Sequence, residues 1–184
     1  MPELHYWIDT EGGPFLLPAE KSLSSWRGTE GWTFETHGED ASDYSQACDI
    51  LDWIGPIPCG DDTGYVLGGG FGPISWINTE DLNGGYLVQW LAVDDESEIL
   101  PALNSKELEE LVSSDRAEHI NIKIREPGEM RVIQAAEIGD DLVAPSLQIK
   151  LQPGTYHATS VYLETTSLMI FVRRLKLQQC PASA

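Results

Sequence analysis

The sequence has few basic residues, few cysteines and no long apolar run. Eleven Lys and Arg stand against 30 Asp and Glu, so the 184-residue chain carries a net charge of −19. The three cysteines, Cys48, Cys59 and Cys180, are odd in number and far apart, which excludes a disulfide framework and a paired zinc motif. No apolar stretch approaches the roughly 18 residues of a membrane span. The start of the chain does not have the pattern of a secretory signal. We therefore expect a soluble, cytoplasmic protein with reduced thiols.

Recognisable catalytic and ligand-binding motifs are also missing. The glycine cluster Gly68–Gly72 is followed by Pro73 and a predicted strand, whereas a phosphate loop leads into a helix and usually carries a Lys. Neither Gly-x-Ser-x-Gly nor Ser-x-x-Lys occurs, so no activated nucleophile is predicted. The four histidines do not have metal-ligand spacing; they are His5, His37, His119 and His157. We predict no catalytic residue, no metal, no cofactor and no enzymatic activity.

The apolar periodicity predicts a β-rich α+β fold in two parts. For residues 1–117 we expect a mixed or antiparallel sheet with a few short helices, and for residues 118–184 an antiparallel β meander, the two parts packed as one compact unit. Ser42 and Ser105 are expected as N-caps. The predicted helices are 20–27, 42–50, 95–103 and 105–113. The predicted strands are 5–9, 14–18, 53–58, 65–68, 74–77 and 86–93, followed by strands near 120–125, 130–137, 147–151, 156–163 and 168–177.

The negative charge is concentrated in the first part of the chain. Residues 1–117 hold 23 acids and 4 basic residues, while residues 118–184 hold 7 of each, and no Lys or Arg occurs between Arg27 and Lys106. Such a field repels the phosphates of DNA and RNA, so we predict no nucleic-acid partner and, without an apolar span, no membrane. It serves either to keep a surface solvated or to steer a basic protein partner. Charge alone does not separate these two roles.

One acidic surface is the candidate for partner binding. The stretch from Glu35 to Asp62 is rich in acids and lacks basic residues, and its polar, glycine-bearing part is expected to be an exposed loop entering a helix. An aromatic residue among these acids would be an anchor, because interface hot spots favour aromatics over charges at the rim. The predicted partner-binding residues are Trp32, Glu35, Glu39, Asp40, Asp43, Tyr44, Asp61 and Asp62.

The tryptophans offer an alternative from a different functional class. All six lie at or before Trp90, in the acidic part. Carboxylates combined with aromatic platforms are typical of carbohydrate-active and carbohydrate-binding sites. Trp7 and Trp90 lie in apolar runs and are expected in the core, whereas Trp32 lies in a polar stretch and is expected near the surface. A carbohydrate-binding or carbohydrate-active domain is therefore one hypothesis, and a structural or regulatory interaction module is another.

Several segments together resemble a known family. In order, they are IDTEGGPFLLP (8–18), WRG (26–28), DYSQACDILDWIGPIPCGDDTGYVLGG (43–69), YLVQWLAVDDESEIL (86–100) and, more loosely, LQPGTYHATSVYLETTSLMIFVRRLKL (151–177). Their order and spacing are similar to those of the immunity protein 21 family, whose members are encoded beside the toxins of bacterial polymorphic-toxin and contact-inhibition systems. The sequence departs from the family pattern at Gln89, where a basic residue is expected, and at the triple glycine Gly68–Gly70.

The resemblance implies a function for the acidic surface. A member of this family is expected to be a cytoplasmic protein that binds a cognate toxin and blocks it, without chemistry of its own. Many such toxins are basic nucleases, which agrees with an acidic surface that steers a basic protein. The first hypothesis is therefore a stoichiometric toxin inhibitor whose partner is a basic protein.

Overall fold

Two antiparallel five-stranded sheets form the body of the protein. The computed structural model describes residues 6–10, 12–31, 33, 42–125 and 128–178. The strands are β1 Phe15–Leu17, β2 Ile54–Cys59, β3 Asp62–Leu67, β4 Ile74–Thr79, β5 Gly84–Val93, β6 Glu118–Ile124, β7 Gly128–Gln134, β8 Leu147–Leu151, β9 Gly154–Glu164 and β10 Leu168–Leu177. The first sheet has the order β2-β3-β1-β7-β8 and the second the order β4-β5-β10-β9-β6. The predicted β-rich α+β class is confirmed.

The helices are short, and two of them begin directly after the predicted N-caps. They are α1 Asp43–Cys48, α2 Ile99–Leu103 and α3 Lys106–Val112, with 3₁₀ helices at Glu20–Ser25, Glu80–Leu82 and Glu96–Glu98. The Ser42 hydroxyl accepts a hydrogen bond from the backbone N–H of Ser45, and the Ser105 hydroxyl accepts one from Leu108, so both predicted N-caps are confirmed. Among the described residues, no helix is long and apolar enough to cross a membrane.

Strands from both sides of Ala117 pair with each other in each sheet. In the first sheet β1 lies between β3 and β7, and in the second sheet β10 lies between β5 and β9. The strands after Ala117 are therefore divided between the two sheets, where a single meander was expected. Alternation of apolar and polar residues shows that a strand has one buried face, but it does not show which sheet the strand joins. Of the predicted strand at 5–9, the described residues 6–9 contribute one bridge, between Ile8 and Ile74.

Three apolar clusters define the layers of the fold. The central cluster lies between the sheets and combines side chains such as Phe15 and Val132 of the first sheet with Leu87 and Leu175 of the second. The outer face of the second sheet packs against α2 and α3. The outer face of the first sheet packs against α1 and the 3₁₀ helix Glu20–Ser25, where Trp26 is the largest buried side chain. Each sheet thus has one face on the central core and one face covered by short helices.

Candidate functional site

We call the eight predicted partner-binding residues the acidic face. Four of them belong to the described part of the chain. Asp43 and Tyr44 lie in the first turn of α1, and Asp61 and Asp62 lie at the turn from β2 to β3. Both elements contribute to the cluster on the outer face of the first sheet. The other four residues, Trp32, Glu35, Glu39 and Asp40, lie outside the described residues.

The three described carboxylates have different surroundings. Asp61 is exposed. The Asp43 carboxylate accepts a hydrogen bond of 2.7 Å from the backbone N–H of Arg27. Asp62 forms an ion pair of 3.1 Å with Lys21 and accepts a hydrogen bond of 3.1 Å from the Ser22 hydroxyl. The hydrogen bond from Lys21 is the main reason why the pKa of Asp62 lies below its usual value. Asp43 and Asp62 therefore stabilise the local fold as well as adding charge to this face.

A buried thiol shows that two of these carboxylates share one face. Cys59 is only 2% exposed, and its thiol donates a hydrogen bond of 3.3 Å to the carbonyl of Ser22. Burial, followed by the negative charges of Asp43 and Asp62, raises the pKa of Cys59 to about 11. Asp62 pairs with Cys59 across the β2–β3 hairpin, and Asp43 bonds the residue that follows Trp26, which packs in the same cluster as Cys59.

Tyr44 is a packing residue of this face as well as a possible contact residue. It is half-buried and packs against the outer cluster of the first sheet. A Cβ atom added at Gly13 would lie 2.7 Å from the Tyr44 hydroxyl oxygen, so the ring is closely covered by the Gly12–Gly13 turn. Burial, together with a hydrogen bond to Cys48, raises the pKa of Tyr44. Removing the ring would therefore affect packing in addition to any partner contact.

The two described cysteines should differ strongly in reactivity. Cys48 is exposed and Cys59 is buried, and both are free thiols. We expect a maleimide at neutral pH to modify Cys48 in the native protein and to modify Cys59 only after unfolding, because burial keeps the Cys59 thiol protonated and covered. Mass spectrometry of the unreduced protein, after timed labelling and proteolysis, measures both rates. A Cys48–Cys59 crosslink, or equal labelling rates, would contradict this expectation.

The structure also shows an exposed apolar surface that the sequence interpretation did not single out. Leu51 is 90% exposed, Phe71 72% and Leu91 41%. All three line one cleft between the end of α1, the Gly12–Pro14 turn and the glycine loop Gly68–Gly72. We call these three side chains the apolar patch. The glycine cluster in the sequence indicated a loop, but nothing in its spacing indicated that Phe71 would project from it.

The glycine loop is fixed to the second sheet from beneath. Gln89 of β5 is fully buried, and its side-chain N–H groups donate to the carbonyls of Gly70, at 2.9 Å, and Gly72, at 3.1 Å. Arg173 of β10 donates to the carbonyl of Gly68. Gly70 and Gly72 flank Phe71 in the chain, so the backbone that carries the exposed ring is held on both sides.

Arg173 and Gln89 form a buried polar layer at this end of the core. The Arg173 guanidinium donates to the Trp53 carbonyl at 2.9 Å and to the Gln89 side-chain oxygen at 3.3 Å. Its full burial lowers its pKa to about 10, while the charge of Glu118 raises it, so the group stays charged at neutral pH. Glu118 in turn accepts a hydrogen bond of 2.8 Å from the backbone N–H of Trp53. The layer joins both sheets and supports the apolar patch.

The described tryptophans do not form an exposed aromatic platform. Trp26 is buried, and its indole N–H donates to the carbonyl of Ala135 at 2.9 Å. Trp7 and Trp90 are partly buried and pack edge to face, with ring centroids 6.2 Å apart. Trp53 packs in the same manner on Phe171. Among the described residues, no tryptophan belongs to the exposed large apolar side chains, so the carbohydrate hypothesis is not supported.

The described residues hold no candidate metal centre. Within the described ranges, no group of three or more His, Cys, Asp or Glu side chains is arranged to hold a metal ion. His119 and His157 stack with ring centroids 5.1 Å apart, on neighbouring strands β6 and β9.

Comparison with known proteins gives one match. The family model described as Immunity protein 21 matches residues 6–168 of the 184-residue chain. No curated protein and no solved structure matches. The matched range includes nine of the ten strands in full and reaches the start of β10, together with the acidic face and the apolar patch.

Proposed function

Because this chain belongs to the immunity protein 21 family, we propose that it binds a cognate bacterial toxin and neutralises it by a stoichiometric protein–protein interaction. The protein would act in the cytoplasm and without chemistry of its own. The family match supports an immunity role, and the acidic surface supports a basic toxin. The apolar patch adds the kind of surface that protein interfaces bury at their centre.

The observation that carries the proposal is the uncompensated negative charge of the first part. The 78 residues between Arg27 and Lys106 contain 15 acids and no basic side chain, and the described residues among them include α1, α2 and β2–β5. Within the described ranges, two of these acids form ion pairs: Glu30 with Arg27, and Asp62 with Lys21. Such a field raises the rate at which a basic partner is captured, whereas like charges in one stretch bring no stability to the fold.

Co-expression tests the proposed function in cells. The toxin domain encoded next to this chain's gene should arrest growth when expressed alone, and growth should be restored when the full chain is expressed with it. A pull-down through a tag on the chain should recover the toxin at low salt and less of it at high salt. Continued growth arrest in the presence of folded, abundant chain would overturn the proposal.

Reversing acids on the proposed face should slow association. Glu39 and Asp40 are retained from the sequence prediction, and Asp61 replaces Asp43, whose carboxylate bonds the backbone of Arg27. For the variant Glu39→Lys, Asp40→Lys, Asp61→Lys we expect the association rate with the toxin to fall by about 10-fold or more at low salt, with little change in dissociation. Surface plasmon resonance at two salt concentrations measures both rates.

A control variant on the outer side of the second sheet separates the effect of local charge on association from the effect of net charge. Glu107, Glu110 and Asp115 are exposed in and after α3, on the outer side of the second sheet. Reversing these three to Lys changes the net charge by the same amount. If both triple variants slow association equally, steering depends on net charge and the acidic face has no special role.

A further inference from the structure

The apolar patch lies at the end of α1, the helix whose first turn carries Asp43 and Tyr44, and its three side chains are exposed. We propose that Leu51, Phe71 and Leu91 form the anchor of the toxin interface. The cleft that they line receives an apolar side chain of the toxin that is surrounded by Lys or Arg. This inference rests on the proposed function. It assigns most of the binding energy of the toxin complex to the apolar patch and not to the carboxylates.

The patch is large and concave. Leu51, Phe71 and Leu91 line a cleft of about 820 Å³, and Leu91 with Gly69 also borders a second cleft of about 360 Å³ lined by Trp53, Tyr162 and Phe171. The described part of the chain exposes five large apolar side chains, and these three share one cleft. Isolated exposed apolar residues are ordinary on a protein surface, whereas a contiguous group marks an interaction site.

The patch is also held in one conformation before any partner binds. Phe71 stands between Gly70 and Gly72, whose carbonyls accept hydrogen bonds from the buried Gln89. Gly69 has a φ of +88°, and an added Cβ atom there would lie 3.1 Å from the Phe171 ring. The loop is therefore packed as well as hydrogen-bonded. A loop whose backbone is already fixed loses little conformational freedom on binding, which favours Phe71 as an interface anchor.

The charges around the patch define the occupant. Asp49 and Asp52 are exposed on either side of Leu51 in the chain, and in the described ranges neither forms an ion pair. Arg116 lines the second cleft and does not line the cleft of Leu51 and Phe71. An apolar side chain flanked by Lys or Arg is complementary to this arrangement. A second copy of this chain is not, because two such patches would bring the acids of both copies together.

The direct test compares two alanine variants at exposed apolar positions, one inside the apolar patch and one outside it. Phe71→Ala should weaken toxin binding by about 30-fold or more, mainly through faster dissociation, because an anchor contributes after the encounter. Val143→Ala removes a side chain that is 84% exposed on the loop between β7 and β8, and it should leave binding unchanged. Surface plasmon resonance with the toxin domain gives both rates, and circular dichroism confirms that each variant is folded.

The possible results distinguish this inference from the proposed function. If the wild-type chain binds and Phe71→Ala binds equally well, the anchor is wrong and the proposed function stands. If the wild-type chain does not bind the toxin, both fail. If Phe71→Ala converts a dimer of this chain into a monomer while toxin binding is unchanged, the patch is a self-association surface and the inference is also overturned.

Labelling of Cys48 measures independently whether the toxin covers the same cleft. It is exposed and lines the cleft with Leu51 and Phe71. In a Cys180→Ser variant, the toxin should slow maleimide labelling of Cys48 by about 10-fold or more, because a seated anchor covers the cleft. Unchanged labelling in a saturated complex would show that the toxin binds elsewhere.

Discussion

Replacing Arg173 with methionine is expected to lower the free energy of unfolding by about 3 kcal/mol. The substitution removes the donor to three acceptors, which are the carbonyls of Trp53 and Gly68 and the side-chain oxygen of Gln89. Each buried acceptor left without a donor costs about 1–3 kcal/mol. Relief of the guanidinium's desolvation offsets part of this loss, since burial already lowers the pKa of Arg173 to about 10.

The neighbouring arginine provides the control. Arg174 pairs with Glu109 at 3.1 Å, and the Glu109 side chain is 59% exposed. Arg174→Met should therefore lower the free energy of unfolding by no more than about 1 kcal/mol. Urea unfolding followed by tryptophan fluorescence measures both variants. An Arg173→Met protein as stable as the wild type would show that the buried polar layer does not hold the sheets and the glycine loop together.

Replacing Gly72 with alanine is expected to cost about 3 kcal/mol, near the upper end of overpacking effects. A Cβ atom there would lie 1.6 Å from the carbonyl oxygen of Trp90, which belongs to the backbone of β5 and has no flexible side chain to move aside. The backbone N–H of Trp90 also bonds the carbonyl of Pro73 at 3.1 Å, so the loop cannot move away without breaking the end of the β4–β5 pairing.

Gly12→Ala is the control variant, because its added Cβ atom meets no steric clash. Gly12 has a φ of +118°, but no atom lies within 4 Å of an added Cβ. It should show only the cost of backbone strain, about 1–3 kcal/mol, and should leave the glycine loop in place. Thermal unfolding and labelling of Cys48 together separate the two variants, because only Gly72→Ala should displace the glycine loop that forms one wall of the cleft. If Gly72→Ala alters neither, the loop is not packed against β5 as described.

Several elements could be predicted because their signals are local. Ser42 and Ser105 are followed by short helices, since their hydroxyls satisfy free backbone N–H groups in the first turn. The apolar run Leu87–Val93 forms most of β5, which has neighbours on both sides in the second sheet. Local patterns of this kind need no knowledge of distant partners.

The parts that could not be predicted depend on long-range contacts. Arg173 lies 84 residues from Gln89 and 105 from Gly68, so no spacing rule connects them. The division of the later strands between two sheets likewise follows from packing across the core. The sequence interpretation treated the glycine cluster as a loop and did not anticipate that buried polar side chains hold it beneath an exposed Phe71. The predicted acidic residues outside the described ranges remain predictions.

Calorimetric titration of the purified full chain with an inactive form of the neighbouring toxin domain tests the central proposal most directly. We expect a one-to-one complex with a nanomolar dissociation constant that weakens as salt rises, because an acidic surface meets a basic partner. The same titration with Phe71→Ala should show a constant about 30-fold weaker. No measurable heat and no complex with the wild-type chain at micromolar concentrations, in a toxin domain shown to be folded, would contradict the proposal that this protein neutralises the toxin by binding it.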